Sequence, residues 1–250
     1  MRDLDRCAQT NRWRHHAAGE KLLVSTGAMV AALSLSGWIV QGVILCCMIA
    51  LTLLGAGIAL SDLVRAARVP LLFVLTGTAA QIVTVSMPGG WPDMSLVPAP
   101  EMAQAGFIAL RSAACIASLL FLAFTTPLSS LLQLLQRLGL NAEISDLAMA
   151  MLRLVWLTLD CLDNGQKALS ARLGYANGRR MIRCQALLLA ALLPRVLNRA
   201  ARMETGLAAR GYSGRLHVLS IEKSASPYRL GLIALGFATF IALSLWIKPC

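Results

Sequence analysis

Two arginines 38 positions apart, Arg172 and Arg210, sit in nearly the same short context. The first context reads Leu169-Ser170-Ala171-Arg172-Leu173-Gly174-Tyr175-Ala176-Asn177-Gly178. The second reads Leu207-Ala208-Ala209-Arg210-Gly211-Tyr212-Ser213-Gly214. Each runs Leu, a small residue, Ala, Arg, then Gly-Tyr within two residues, then another Gly. The chemistry open to such a pair is recognition. Ala and Ser keep a last helical turn slim enough to enter a groove. A glycine stops the helix and leaves its carbonyl end exposed. Arg in that turn suits the negative end of the helix dipole. Its planar five-donor fork matches carboxylates and backbone carbonyls. Two ordinary C-caps with solvated arginines would give either copy alone; two matching copies favour a docking role.

Catalytic chemistry has little to stand on. The chain contains no G-x-x-x-x-G-K-[ST], H-E-x-x-H or G-x-S-x-G pattern, so a P-loop, a zincin site and a nucleophile elbow are excluded. Asp160 and Asp163 could mimic an acid pair, but their spacing fits a solvated or arginine-paired helix face better. His15 and His16 are adjacent with no further ligand type at metal spacing, which reads as a solvated pair. The seven cysteines, Cys7, Cys46, Cys47, Cys115, Cys161, Cys184 and Cys250, form no C-x-x-C pair. They read as reduced, mostly apolar filler. No cofactor and no metal site is expected.

The elements that carry the two arginines are helices. Thr126-Pro127 reads as an N-cap followed by Pro at the first helical position. Leu128, Leu131, Leu132, Leu135 and Leu138 follow at helical spacing, and Gly139 reads as the stop. Asn141 caps a second, long helix, with Glu143 and Asp146 suiting its dipole; it ends near Leu173, and 174–178 is a break. A third helix runs over about 179–210, with Pro194 expected to kink it and Gly211 to end it. Its apolar run 186–193 is too short to cross a bilayer and too apolar for water. Leu187, Leu188, Leu189, Leu192 and Leu193 should therefore pack on a neighbouring helix or a partner.

The rest of the chain belongs to a membrane. Of 250 residues, 57% are hydrophobic and only 14% charged, against ~25% charged in soluble domains. A span needs ~20 mostly apolar residues. Charge-free runs at 22–61, 69–92, 112–136 and 230–247 predict five spans, roughly 21–36, 38–60, 69–87, 106–124 and 229–247, with a tight turn at Ser36-Gly37. Arg2, Arg6, Arg12, Arg14 and Lys21 place the N-terminus in the cytoplasm, as Arg65 and Arg68 place the next inner loop. The loop 88–105 holds Asp93 and Glu101 but no Lys or Arg, and belongs outside. A secretory signal is not expected, because the apolar run starts after some 20 polar residues and continues into a second span. Arg111, the one charge well inside a span, is read as snorkelling toward the outer interface; pairing within the bundle is the alternative.

The expected fold is all-α: a polytopic membrane protein of about five spans plus a cytoplasmic helical segment with two long helices. Its parts are a four-span bundle at 1–125, coupling helices at 126–228 and a last span at 229–250. The net charge of +11 concentrates at 167–215, which holds ten Lys and Arg and one acid, Glu204.

The chain resembles the transmembrane T component of an energy-coupling factor transporter, and within it the cobalt-type CbiQ subfamily. The likeness covers nearly the whole chain. Trp13-Arg14-His15-His16-Ala17-Ala18-Gly19-Glu20-Lys21-Leu22 resembles the subfamily's juxtamembrane lead-in. Phe124-Thr125-Thr126-Pro127 leading to Leu138-Gly139-Leu140 resembles its turn into the first coupling helix. Most specific are the Ala-Arg-x motifs, Ala171-Arg172-Leu173 and Ala209-Arg210-Gly211. The first departs from the commoner Ala-Arg-Gly by Leu173, with Gly174 expected to supply the stop.

The resemblance implies a non-catalytic subunit of a bacterial inner-membrane importer. Its implied partners are two ATP-binding cassette ATPase subunits, a CbiM-like substrate-binding membrane subunit, a small CbiN-like accessory subunit and the lipid bilayer, with no nucleic acid. Each Ala-Arg-x end would enter a groove on one ATPase, and the leucine run would face the substrate subunit. Cobalt is the implied substrate, with nickel and biotin as alternatives. Two readings of other classes stand beside it. A membrane scaffold with a basic docking segment is disfavoured because the basic residues form no contiguous block. A self-contained transporter is disfavoured because no polar cluster lies at midplane.

Overall fold

The computed structural model describes residues 7–8, 10–86, 93–96, 99–211, 228, 231, 233 and 235–237. The expected last span at 229–247 lies mostly outside them, as do Arg2, Arg6, Tyr212 and Cys250. Among the described residues, seven helices follow a 3-10 turn at Arg12–His15: α1 (Ala18–Ser34), α2 (Trp38–Ala50), α3 (Leu60–Ile82), α4 (Ala99–Thr125), α5 (Leu128–Arg137), α6 (Ala142–Ala171) and α7 (Gly178–Ala208). Helix α2 runs on into a π-turn at Leu51–Gly55. The chain divides into two compact units, one of residues 1–131 with 220–250 and one of 132–219.

The all-α expectation holds with one local addition. Val83–Ser86 (β1) and Asp93–Leu96 (β2) form a two-stranded antiparallel hairpin, pairing Val83 with Leu96 and Ser86 with Asp93. The expected third span therefore ends at Ile82 rather than 87, and starts back at Leu60, so Arg65 and Arg68 are helical. The cause is sequence-local: Val83-Thr-Val-Ser is β-branched and alternating, which favours a pleated strand over a continuing helix.

By length and composition, Trp38–Gly55, Leu60–Ile82, Glu101–Thr125 and Gly178–Ala208 could each cross a membrane. Helix α1 has 17 residues, about 25 Å of rise, short of the ~30 Å hydrocarbon core. In Gly178–Ala208, the charge-free stretch is only 184–194, so the helix as a whole is apolar enough but its uninterrupted apolar part is not long enough.

In the first unit, α4 packs against α1, α2 and α3. Its buried positions in the C-terminal half are Ala114, Ala117, Ser118, Phe121, Phe124 and Thr125, one helical face at i, i+3, i+4 spacing. Across from it lie Ala28, Ala31, Ala32, Leu35, Ile44 and Met48. Small residues inside and large ones outside is the pattern of helices packed in lipid. Ile39 is 83% exposed and Phe73 78%, positions that would be unfavourable in water and suit hydrocarbon.

Helix ends in this bundle are closed by long polar side chains. Arg111 Nε donates to Ala32 O at 3.0 Å and Nη2 to Leu35 O at 2.9 Å. Gln41 Nε2 donates to the same two carbonyls at 2.6 and 2.9 Å. These are C-terminal carbonyls of α1, which lack intrahelical partners. Arg111 thus does not snorkel to the interface. It pairs inside the bundle, 5.1 Å above the Phe107 ring, because two carbonyls left by the break at 35–37 need donors. Lys21 does the same for α4: its Nζ is buried and donates to Thr125 O at 2.9 Å. Asn11 Nδ2 donates to Phe124 O at 2.9 Å. The N-terminal segment is held by Trp13, edge-on to Phe121 at 5.8 Å. A Cβ at Gly55 would come within 3.0 Å of that indole.

Helix α5 starts one residue later than expected. Pro127 O accepts from Ser130 N and Leu131 N, and Thr126 Oγ1 is buried without a hydrogen-bond partner, so the threonine is not the cap. The expected stop at Gly139 is present: φ is +107°, Leu140 N bonds to Leu135 O and Gly139 N to Gln136 O. That bond pair is a Schellman motif.

Candidate functional site

The second unit is built on α6 and α7, which pack against each other. Asn141 caps α6 as its sequence requires, its Oδ1 accepting from Glu143 N at 3.4 Å. The two helices meet at Gly165, where a Cβ would lie 2.4 Å from Leu188 Cδ1. Leu188 and Leu192, four residues apart on one face of α7, are both 7% exposed.

The leucine run therefore splits. Leu188 and Leu192 face inward and are spent on this packing. Leu187, Leu189 and Leu193 point outward, at 59–65% exposure. Pro194 lies inside the continuous helix.

The first helix end closes on Arg172. Its N–H bonds to Leu169 O at 3.2 Å; Leu173 N bonds to Ser170 O at 3.1 Å and Gly174 N to Leu169 O at 2.9 Å. The bonds from Leu173 N and Gly174 N are the two of a Schellman motif, with the left-handed position at Leu173. Leu173 has φ +58° and is 70% exposed. The expectation that Gly174 supplies the stop is corrected: Leu173 takes the positive φ, at a cost of about 1–2 kcal/mol for a residue with a Cβ. Gly174 is needed for a different reason. A Cβ there would meet Leu169 O at 2.9 Å and Cys184 Sγ at 3.4 Å.

The second end makes two of these three bonds; the third would come from residue 212, which lies outside the described residues. Arg210 N bonds to Leu207 O at 3.1 Å, and Gly211 N to Ala208 O at 3.1 Å. Gly211 has φ +72°. Arg172 and Arg210 therefore hold equivalent places, one residue before a left-handed turn, and both are exposed. Ala171 and Ala209 precede them and are exposed too. What the repeat shares is an arginine placed directly before a left-handed residue, Leu173 in one copy and Gly211 in the other. Each end offers a slim terminal turn and one exposed guanidinium.

Arginine spacing across the two helices was not legible in the sequence. Arg153 on α6 and Arg199 and Arg202 on α7 line one cleft with Arg210; 46 or more positions separate Arg153 from the others, and only the helix pairing brings them together. Asp160 lines the same cleft. Among the described residues no group of three His, Cys, Asp or Glu is arranged to hold a metal ion. His16 lies 5.5 Å from the Trp13 ring and 3.7 Å from Glu20.

Residues 10–219 match the CbiQ family, described as cobalt transport protein. The chain is 37% identical over 239 residues to the cobalt transport protein CbiQ of Rhodobacter capsulatus, covering 96% of each. It is 27% identical over 229 residues to the cobalt transport protein CbiQ of Salmonella typhimurium, covering 87% of this chain and all of that one.

Proposed function

Because the chain belongs to the CbiQ cobalt transport protein family, we propose that it is the energy-coupling membrane subunit of an ATP-driven cobalt importer. It is a multi-pass membrane component of a transporter, and in this reading it carries no catalytic step. The observation that supports the coupling role is that Arg172 and Arg210 are both exposed and each directly precedes a left-handed residue. Two like ends suit two like sockets, one on each ATPase subunit. Ala171-Arg172-Leu173 enters one and Ala209-Arg210-Gly211 the other. In a socket each guanidinium is desolvated and must be matched by acceptors, so its loss leaves those acceptors unpaired.

ATP binding closes the ATPase pair and draws the sockets together. The helices α6 and α7 then change their crossing about the Gly165–Leu188 contact, a hinge-type transmission. The outward leucines, Leu187, Leu189 and Leu193, are the surface offered to a substrate-binding membrane subunit. In this reading the complex sits in a bacterial inner membrane with the coupling segment 126–228 on the cytoplasmic side.

Affinity purification of the complex in detergent tests the docking. Wild type should recover both ATPase subunits. Arg172→Ala and Arg210→Ala should each weaken recovery by roughly tenfold or more, the scale of one lost interface hot spot. Undiminished recovery with the double substitution would reject the docking role.

A further inference from the structure

Between α6 and α7 the second unit holds a cleft of about 450 Å³, within the ~300–1,000 Å³ range of small-ligand sites. Its rim carries four arginines, Arg153, Arg199, Arg202 and Arg210, against one carboxylate, Asp160. All four arginines are exposed. Its floor is different in kind: Leu154, Trp156, Leu157, Met203 and Leu207 line it and are half-buried. An arginine rim over an apolar floor fits a molecule that joins a phosphate to hydrocarbon. Guanidinium groups bind phosphate oxygens in pairs of hydrogen bonds. Trp beside basic residues is typical of the membrane–water interface, and basic pockets beside membrane helices take lipid headgroups. Gly178–Ala208 supplies Arg199, Arg202, Met203 and Leu207 to this lining, and the helix as a whole is long and apolar enough to cross a membrane. We infer that this cleft binds the phosphate headgroup of an anionic phospholipid, with the first part of an acyl chain on the Trp156 floor.

Arg210 is assigned above to ATPase docking, so the lipid assignment rests on the other three rim arginines, Arg153, Arg199 and Arg202, and the cleft variants in the test use only these. The full chain, purified in detergent and stripped of lipid, is offered equal phosphatidylglycerol and phosphatidylcholine, and retained lipid is counted by native mass spectrometry. Wild type should retain phosphatidylglycerol in excess by about tenfold. Arg199→Gln with Arg202→Gln should bring the ratio near one. Arg65→Gln with Arg68→Gln removes the same charge from α3, whose residues do not line the cleft, and should leave the ratio as in wild type. Arg153→Gln serves as the second cleft variant if the double one elutes misfolded.

No preference in wild type overturns the inference, as does an equal loss with the Arg65 and Arg68 changes, which would mean diffuse attraction. Displacement of the lipid by inorganic phosphate at the same concentration would assign the cleft to a soluble phosphate instead. If the Arg199 and Arg202 changes spare the lipid ratio but abolish ATPase recovery, the cleft takes an acidic protein segment, and the lipid assignment is overturned.

Discussion

At the scale of single residues, the cations Lys21 and Arg111 act as donors for helix ends. Arg111 and Gln41 share Ala32 O and Leu35 O, and Lys21 reaches Thr125 O. Arg111→Met should remove a charged donor pair worth on the order of 1–3 kcal/mol, seen as a lower melting temperature in detergent; Arg111→Lys should lie between. An unchanged melting temperature with Met would mean the guanidinium is dispensable. The first helix end makes a sharper prediction. Leu173 takes the left-handed position and Gly174 the close approach. Leu173→Gly should be tolerated or slightly stabilising, relieving about 1 kcal/mol of backbone strain. Gly174→Ala should be destabilising, because its Cβ meets a backbone carbonyl. The opposite order of melting temperatures would restore Gly174 as the left-handed stop. A leucine kept exposed in a strained conformation is consistent with a side chain that a partner uses, and separates the first end from the second, where Gly211 presents none.

At the scale of elements, helix identity was legible wherever a cap, a stop and a periodic apolar face agreed. Asn141, Gly139 and the leucines of α5 are such places. The break near Ser36-Gly37 was legible as well, since two spans had to fit one long charge-free run. What escaped the sequence was pairing. The role of Arg111 depends on α1 ending beside α4, and the four-arginine cleft depends on α6 lying against α7; neither is encoded by spacing along one helix. Thr126 misled for a related reason, because an N-cap residue is recognised by type while its hydroxyl is left buried by the packing around it. The matching of the two Ala-Arg-x ends was legible, yet its cause, a shared left-handed turn tolerated by Leu in one copy and Gly in the other, was not. The α6–α7 contact carries its own prediction. Gly165→Val should push Leu188 aside, lower the melting temperature and reduce cobalt uptake while Arg172 and Arg210 stay intact. Wild-type uptake in that variant would remove the crossing from the coupling path.

At the scale of the whole molecule, the first unit's small-residue interior and apolar outer faces, with four helices of spanning length and composition among the described residues, describe a polytopic membrane protein. Helix α7 meets the length and hydropathy of a span, yet arginines bound its apolar middle on both sides. Cysteine labelling with an impermeant maleimide, on a background lacking the native cysteines, resolves its placement. Glu101→Cys should label from outside the cell. Cysteines placed at Ser170 and Gly206 should both label only after permeabilisation; outside labelling at either would make α7 a span and undo the cytoplasmic assignment. The central claim is that two equivalent arginine-tipped ends carry ATPase motion into transport. Its most direct measurement is ATP-driven cobalt uptake by vesicles holding the complete complex. Arg172→Ala and Arg210→Ala should each lower uptake sharply, with the subunit inserted at normal levels and bound ATPase reduced. Uptake at the wild-type rate with both arginines replaced would contradict the account.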